Sequence, residues 1–227
     1  VERSRGLGDV YKRQASEDFL GQLNIKPHIN VLDIGCGRGE FLSLLQKEGI
    51  KASGIDLNED MVHLCKERGL IVENNDAFPY LKSIDNNSLG GIFSSHVIEH
   101  LPTNNLRDFL ELCYRKLKTA SPLVFETPNP LSVTVSSSSF YLDLSHNKPI
   151  HPEAIKFLLE SCGFRKTEIK FLSPVEECIK LKSLPIPETS DPLDTTRKNF
   201  LLLNKNLEQL NQLLYGFQDY AVIARKV

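Results

Sequence analysis

The chain has 227 residues, long enough for one well-packed α/β domain with some decoration and short for two. Its 27 basic side chains against 29 acidic ones leave no electrostatic footprint for nucleic acid, and no apolar run approaches the ~18 residues of a membrane-spanning helix. Cys36, Cys65, Cys113, Cys162 and Cys178 are odd in number, scattered and without a C-x-x-C pair, which excludes a disulfide framework or a zinc ribbon and points to a reducing cytoplasm.

The only methionine is Met61, so Val1 is not a natural start, and the run from Arg5 to Gln14 reads like a translated sequencing adapter. Residues 1–14 are therefore set aside, and a single domain is expected over 15–227. From Ala15 onward short apolar runs alternate with helical patterns, the signature of βα repeats on a parallel sheet. Strands are expected at 30–33, 52–56, 70–73, 91–95, 123–126, 168–172 and 219–226. A helix after the first strand carries Phe41, Leu42, Leu44 and Leu45 on one stripe, and one from Asn58 carries Met61, Val62, Leu64 and Cys65. The helix over 103–117 repeats Leu106, Phe109, Leu110, Cys113 and Leu117 at the same spacing.

A Ser-, Pro- and Asn-rich loop over 128–150 is long enough to serve as a lid or binding loop. His151 is expected to cap a helix beginning at Pro152, with Gly163 as its C-cap. The stretch 173–196, with Pro174, Pro185, Pro187 and Pro192, reads as an insertion. Phe200, Leu203, Leu207, Leu210 and Leu214 then mark a final helix that packs into the core or, alternatively, pairs two subunits. His28 and His63 read as surface or packing residues.

Chemistry concentrates at the expected strand ends. Val31 to Glu40 reads Val-Leu-Asp-Ile-Gly-Cys-Gly-Arg-Gly-Glu, a strand that ends in Asp33 and opens into Gly35, Gly37 and Gly39. The third glycine falls two residues after the second, and Glu40 stands where the dinucleotide fingerprint G-x-G-x-x-G wants Gly or Ala. Asp56 ends the second strand, 17 residues after Gly39, and Asp76-Ala77 follows the third. The fourth strand runs into Ser94-Ser95-His96-Val97-Ile98-Glu99-His100-Leu101. In an open parallel sheet the first and fourth strands flank the topological switch point, where ligands bind.

The D-x-G-x-G-x-G run from Asp33 to Gly39 resembles the class I S-adenosylmethionine (SAM)-dependent methyltransferases. That resemblance implies an α/β fold: a Rossmann-like, seven-stranded, mostly parallel sheet with helices on both faces and an antiparallel last strand. It implies SAM as cofactor, with the backbone of Gly35, Cys36, Gly37 and Gly39 against the methionine moiety. Asp33 would orient that loop or hold the ammonium group, and Asp56 would accept both ribose hydroxyls. Asp76 would accept the adenine amino group, Ala77 and Leu57 would cover the two ring faces, and Ser95 would complete the set. A nicotinamide dinucleotide, which Asp56 also suits, is the alternative that the glycine spacing disfavours.

The Val-Ile-Glu-His segment, followed by Thr127-Pro128-Asn129 and a later histidine, is similar to metal-assisted O-methyltransferases of ubiquinone biosynthesis and of small-RNA 3′ ends. Those enzymes carry E-x-x-E-H, and here His96 replaces the first glutamate. The implied metal ligands, for a divalent ion such as Mg²⁺, are Glu99, His100 and His146, with His96 as a fourth. Without a metal, His96, Glu99, His100 or His146 would remove the acceptor's proton directly. The plainer readings have Glu99 contacting the loop backbone and His100 packing beneath the sheet end.

The stretches Glu126–131, 140–146, 149–153 and 216–225 resemble bacterial methyltransferases encoded with surface-polysaccharide genes, the O-antigen chain-terminating type among them. This implies O-methylation of a sugar hydroxyl or glycan-linked phosphate on a lipid-linked saccharide, by a cytoplasmic protein peripheral to the inner membrane face. Alternatives are a small-molecule, quinone or RNA 3′-end acceptor, and a SAM-binding accessory domain that transfers nothing.

Overall fold

The computed structural model describes residues 30–188 and 195–227; residues 1–14, His28 and Pro192 lie outside them. Strands β1 (Val31–Ile34), β2 (Ala52–Asp56), β3 (Val72–Asn74), β4 (Gly91–Ser95), β5 (Pro122–Pro128), β6 (Phe164–Leu172) and β7 (Asp219–Lys226) form one sheet in the order β3-β2-β1-β4-β5-β7-β6. Pairings from β3 through β5 are parallel, and β7 runs antiparallel between β5 and β6. The chain builds outward from β1 to β3 and then returns to lay β4 on the other side of β1. That reversal opens a crevice beyond the carboxyl ends of β1 and β4.

Helices α1 (Glu40–Lys47), α2 (Glu59–Glu67), α3 (Ala77–Ser83), α4 (Thr103–Lys116), α5 (Val133–Ser137), α6 (Pro152–Ser161) and α7 (Thr195–Leu214), with two 3₁₀ turns at Ile98–His100 and Ser139–Leu142, complete the described elements. Both faces of the sheet are covered, which is why its central strands are apolar at consecutive positions. Leu32, Ile92 and Phe125 pack on one side with Phe109 and Leu110 of α4. Their neighbours Val31, Phe93 and Val124 pack on the other with Phe41 and Leu45 of α1. Each fully buried side chain of this size stabilises the fold by roughly 1.5–3 kcal/mol.

Differences from the expected boundaries have local causes. β3 starts at Val72 instead of residue 70, because Leu70 N–H bonds back to Cys65 O (3.0 Å) and Gly69 adopts φ +74°, finishing the turn after α2. β6 starts at Phe164, ahead of the expected 168, through an irregularity between Arg165 and Glu168 that breaks the alternation. α3 was not expected; Asp76 nucleates it by accepting from Phe78 N–H at 2.8 Å. His151 caps α6 through Glu153 N–H, and Gly163 follows that helix with φ +105°.

The final helix corrects an expectation. No residue of α7 is buried, so it is not a core helix. Phe200, Leu207 and Leu214 are partly covered, together with Asn204 and Asn211, whereas Leu203 and Leu210 of the expected stripe stay exposed. The covering element is a ribbon of chain over 181–184, too narrow to bury a full helical face. No described helix is long and apolar enough to cross a membrane.

Candidate active site

The glycine loop sits where β1 ends. Gly35, Gly37 and Gly39 have φ of +72°, +52° and +75°, a left-handed run that L side chains resist. A Cβ on Gly35 would strike Val97, and one on Gly39 would strike Leu70 and Cys65. The Gly35 and Cys36 amides donate to Ile55 O at 2.8 and 3.1 Å. Asp56 straps the loop from β2: its Oδ2 accepts from Gly37 N–H at 2.7 Å and its Oδ1 from Asn58 N–H at 2.8 Å. Each oxygen keeps a second lone pair, so the carboxylate can also accept a ribose hydroxyl.

Beside it Leu57 is 72% exposed, an apolar side chain offered at a strand end. Ala77 opens α3, and Asp76 is exposed at its cap. Asp33 is buried beneath the loop. The Cys36 side chain instead packs inward with Val62, Cys65 and Leu70. Burial, reinforced by Asp33, pushes its thiol far up, and its amide and carbonyl are bonded to Ile55 O and Gly39 N–H, so Cys36 shapes the loop. Ser95 Oγ is buried at the end of β4 and makes no hydrogen bond among the described residues.

The other half of the crevice is made of side chains. After β4, His96 takes φ +55° and the chain enters a single 3₁₀ turn, Ile98–His100. Glu99 is fully buried, with Oε1 3.2 Å from His96 Nδ1 and Oε2 accepting from Thr127 Oγ1 at 2.9 Å. Desolvation opposes its ionisation, but the hydrogen bond and charge of His96 outweigh that and lower its pKa.

His100 Nδ1 lies 3.0 Å from Ser145 Oγ, which lies 2.5 Å from Asp143 Oδ1. The one hydroxyl proton goes to the carboxylate, so His100 Nδ1–H donates to Ser145. His146 Nδ1 is 2.6 Å from Phe140 O, a pure acceptor, so it too carries its proton on Nδ1. In both rings Nε2 is left as the acceptor. One ligating atom from each of Glu99, His100 and His146 lies within 4.8 Å of the other two, and the imidazole centroids are 4.7 Å apart. These three predicted residues are brought together.

His96 is not brought into that group, which corrects its expected place as a fourth ligand. Its left-handed backbone turns the ring toward β5 and β7, leaving Nε2 4.0 Å from both Glu126 Oε1 and Asp219 Oδ1. Desolvation disfavours the charged ring, but the Glu99 hydrogen bond and the charges of Asp219, Glu99 and Glu126 lift its pKa to about 9. His96, Glu126 and Asp219 form a second group of donor atoms within 4.8 Å.

Sequence reading missed Glu126, Thr127 and Asp219 as site residues. Asp219 opens β7 and meets the carboxyl end of β5 only because those strands are antiparallel, pairing it with Pro128. Also missed were Asn74, which donates to Asp56 O and Leu57 O at 3.1 and 2.9 Å, and Tyr220, whose buried hydroxyl donates to Ile150 O at 2.8 Å. A polar residue at or beside a strand terminus, whether first or last, was the one available signal for each.

The sequence profile described as a methyltransferase domain matches residues 3–169. The chain is similar to the crystal structure of a SAM-dependent methyltransferase from Archaeoglobus fulgidus, with 40% identity, 96% of this chain and 94% of that one covered, and a TM-score of 0.84. It shares its fold with Haemonchus contortus phosphoethanolamine N-methyltransferase 2 bound to SAM, at 17% identity over 94% of this chain and 52% of that one, TM-score 0.66. Among curated proteins, phosphoethanolamine N-methyltransferase 1 of Zea mays is 32% identical over 107 residues, 43% of this chain and 21% of that protein. The match thus spans about a fifth of that relative's length.

Proposed function

The chain belongs to the methyltransferase domain family and is a SAM-dependent enzyme, and from that premise we propose that it O-methylates a saccharide hydroxyl on a lipid-linked surface glycan. The observation that supports this reading is the meeting of Glu99, His100 and His146 across the crevice from the glycine loop, both rings having Nε2 as acceptor. A neutral hydroxyl needs such a base, whereas a phosphate acceptor does not, and the three carboxylates of Glu99, Glu126 and Asp219 outnumber the His96 cation they surround, which disfavours an anionic acceptor on this side of the crevice.

SAM supplies the methyl group. The Cβ-free backbone of Gly35–Gly39 would lie against its methionine end, with Asp33 beneath it. Asp56 would take the ribose, Asp76 the adenine amino group, and Leu57 and Ala77 the ring faces. Holding the acceptor oxygen in line with the methyl carbon supplies much of the acceleration. His146 Nε2 would receive the hydroxyl proton, the ring being held in place by its Nδ1–H bond to Phe140 O.

Two imidazoles and one carboxylate also fit a divalent cation, and that donor set suits Mn²⁺ or Zn²⁺ better than the Mg²⁺ implied by the resemblance. Bound there, it would lower the pKa of a coordinated hydroxyl. The Nδ1 partners Ser145 and Phe140 O, with Thr127 on Glu99, would fix these three side chains for that role.

Methylation of a small phosphorylated amine is the second reading, favoured by the stretch shared with the Zea mays enzyme. Methyl-labelled SAM supplied with lipid-linked saccharides, or with phosphoethanolamine, separates the two. Label in the saccharide fraction is the expected result; label in phosphoethanolamine alone would overturn the glycan reading.

A further inference from the structure

Helix α7 stands on the domain as an arm with its two long faces in different states. Its inner face is occupied. Asn204 accepts from Leu184 N–H and donates to Leu184 O, both at 2.8 Å, and Asn211 does the same for Leu181, again at 2.8 Å. Seven helical residues rise about 10.5 Å, and three residues of extended chain cover roughly 9–10 Å. The two clamps therefore match in pitch and hold the ribbon along the helix. At the far end Thr134 Oγ1 donates to Leu214 O at 2.9 Å, tying the helix to the loop beside the active site. The helix is thereby prevented from rolling.

What this leaves outward is a leucine stripe. Leu202, Leu203, Leu210 and Leu213 are 59, 44, 43 and 53% exposed, and they recur with Asn206 at three- and four-residue spacing. We propose that this face pairs with the same face of a second copy of the chain, the two helices antiparallel about a two-fold axis at Asn206.

Three features select a second copy as the occupant. Asn206 interrupts the stripe, and against lipid or a plain apolar surface its amide would lose hydrogen bonds to water without replacement. On a two-fold axis each Asn206 amide donates to the other's carbonyl, a self-complementary pair that also fixes register. Leu202 and Leu210 stand four residues to either side, so the same axis sets Leu202 of one copy against Leu210 of the other. Finally, Lys198, at the edge of this face, lies near the amino end of its own helix, where the macrodipole disfavours cations, with no acid in its first turn. An axis at 206 places position 198 opposite position 214 of the other copy. That cation then lies beside a helix carboxyl end, where the dipole favours it.

Sedimentation velocity tests this at about 50 μM, a concentration suited to an interface of modest area. The expected mass is twice 25.6 kDa, falling to one chain for the Leu202→Glu, Leu210→Glu double variant with an unchanged circular dichroism spectrum. In a Cys178→Ser background, Asn206→Cys should cross-link to itself on mild oxidation, and Lys205→Cys, on another face, should not. A wild-type monomer at that concentration overturns the proposal, as does a dimer indifferent to the two glutamates. So does a monomer that sediments with phosphatidylglycerol vesicles through these leucines, or cross-linking equally efficient at 205 and 206.

Discussion

The two halves of the crevice are built differently. The half formed by β1 to β3 is mostly backbone: three left-handed glycines, the amides of Gly35 and Cys36 on Ile55 O, and Asp56 strapping Gly37. The half formed by β4, β5, β7 and the 128–150 loop is mostly side chains that lie far apart in the chain, such as Glu99 with Thr127 and His100 with Ser145. A backbone cradle serves one ligand common to a whole family, and a side-chain wall can be changed residue by residue. Affinity for SAM and competence in transfer should therefore separate under mutation.

The largest separation is expected at His146. His146→Ala should lower turnover by about 10²–10⁴-fold while SAM affinity, read by titration calorimetry, stays within a factor of about two. A parallel loss of SAM affinity would erase the distinction between the halves. Asp56→Ala is the converse: SAM binding should weaken by about 30–100-fold, with most turnover recovered at saturating SAM. If turnover stays low there, the strap on Gly37 also shapes the catalytic side.

A smaller effect tests the buried network by pH. The folded pKa of His96 is raised to about 9 from 6.5, so its contribution is fully present below pH 6.5 and is lost as pH rises through about 9. Wild type in chelator should lose on the order of 1–2 kcal/mol more than His96→Gln between those limits, after allowance for the partly exposed ring. Denaturant midpoints across that range measure it, and parallel curves would show that the ring is not charged in the folded protein. The smallest change is Thr127→Val, which removes one hydrogen bond from Glu99 and should cost about 1–2 kcal/mol of stability. Its SAM affinity should not move.

Legibility in the sequence follows the same division. Gly35, Gly37, Gly39 and Asp56 could be read because a tight turn and a strand-end acid are demands made by neighbours within one βα unit. The meeting of Glu99, His100 and His146 could be anticipated only through family resemblance, since nothing local brings residue 146 to residue 100. His96 was misplaced because a left-handed φ on a histidine leaves no mark in composition or periodicity. Asp219 went unseen because its position depends on β7 running against β5. For α7, the leucine spacing announced an amphipathic helix, but whether a sheet, a ribbon or another chain covers it is no property of the spacing.

By itself, then, the sequence determined the alternation of strands and helices, the glycine loop and the acids at three successive strand ends. Each is written by hydrophobic period or backbone sterics over a few residues. Tertiary structure alone decided which side chains face the acceptor and which face of the last helix lies open, because those depend on strand direction and on contacts between segments a hundred residues apart.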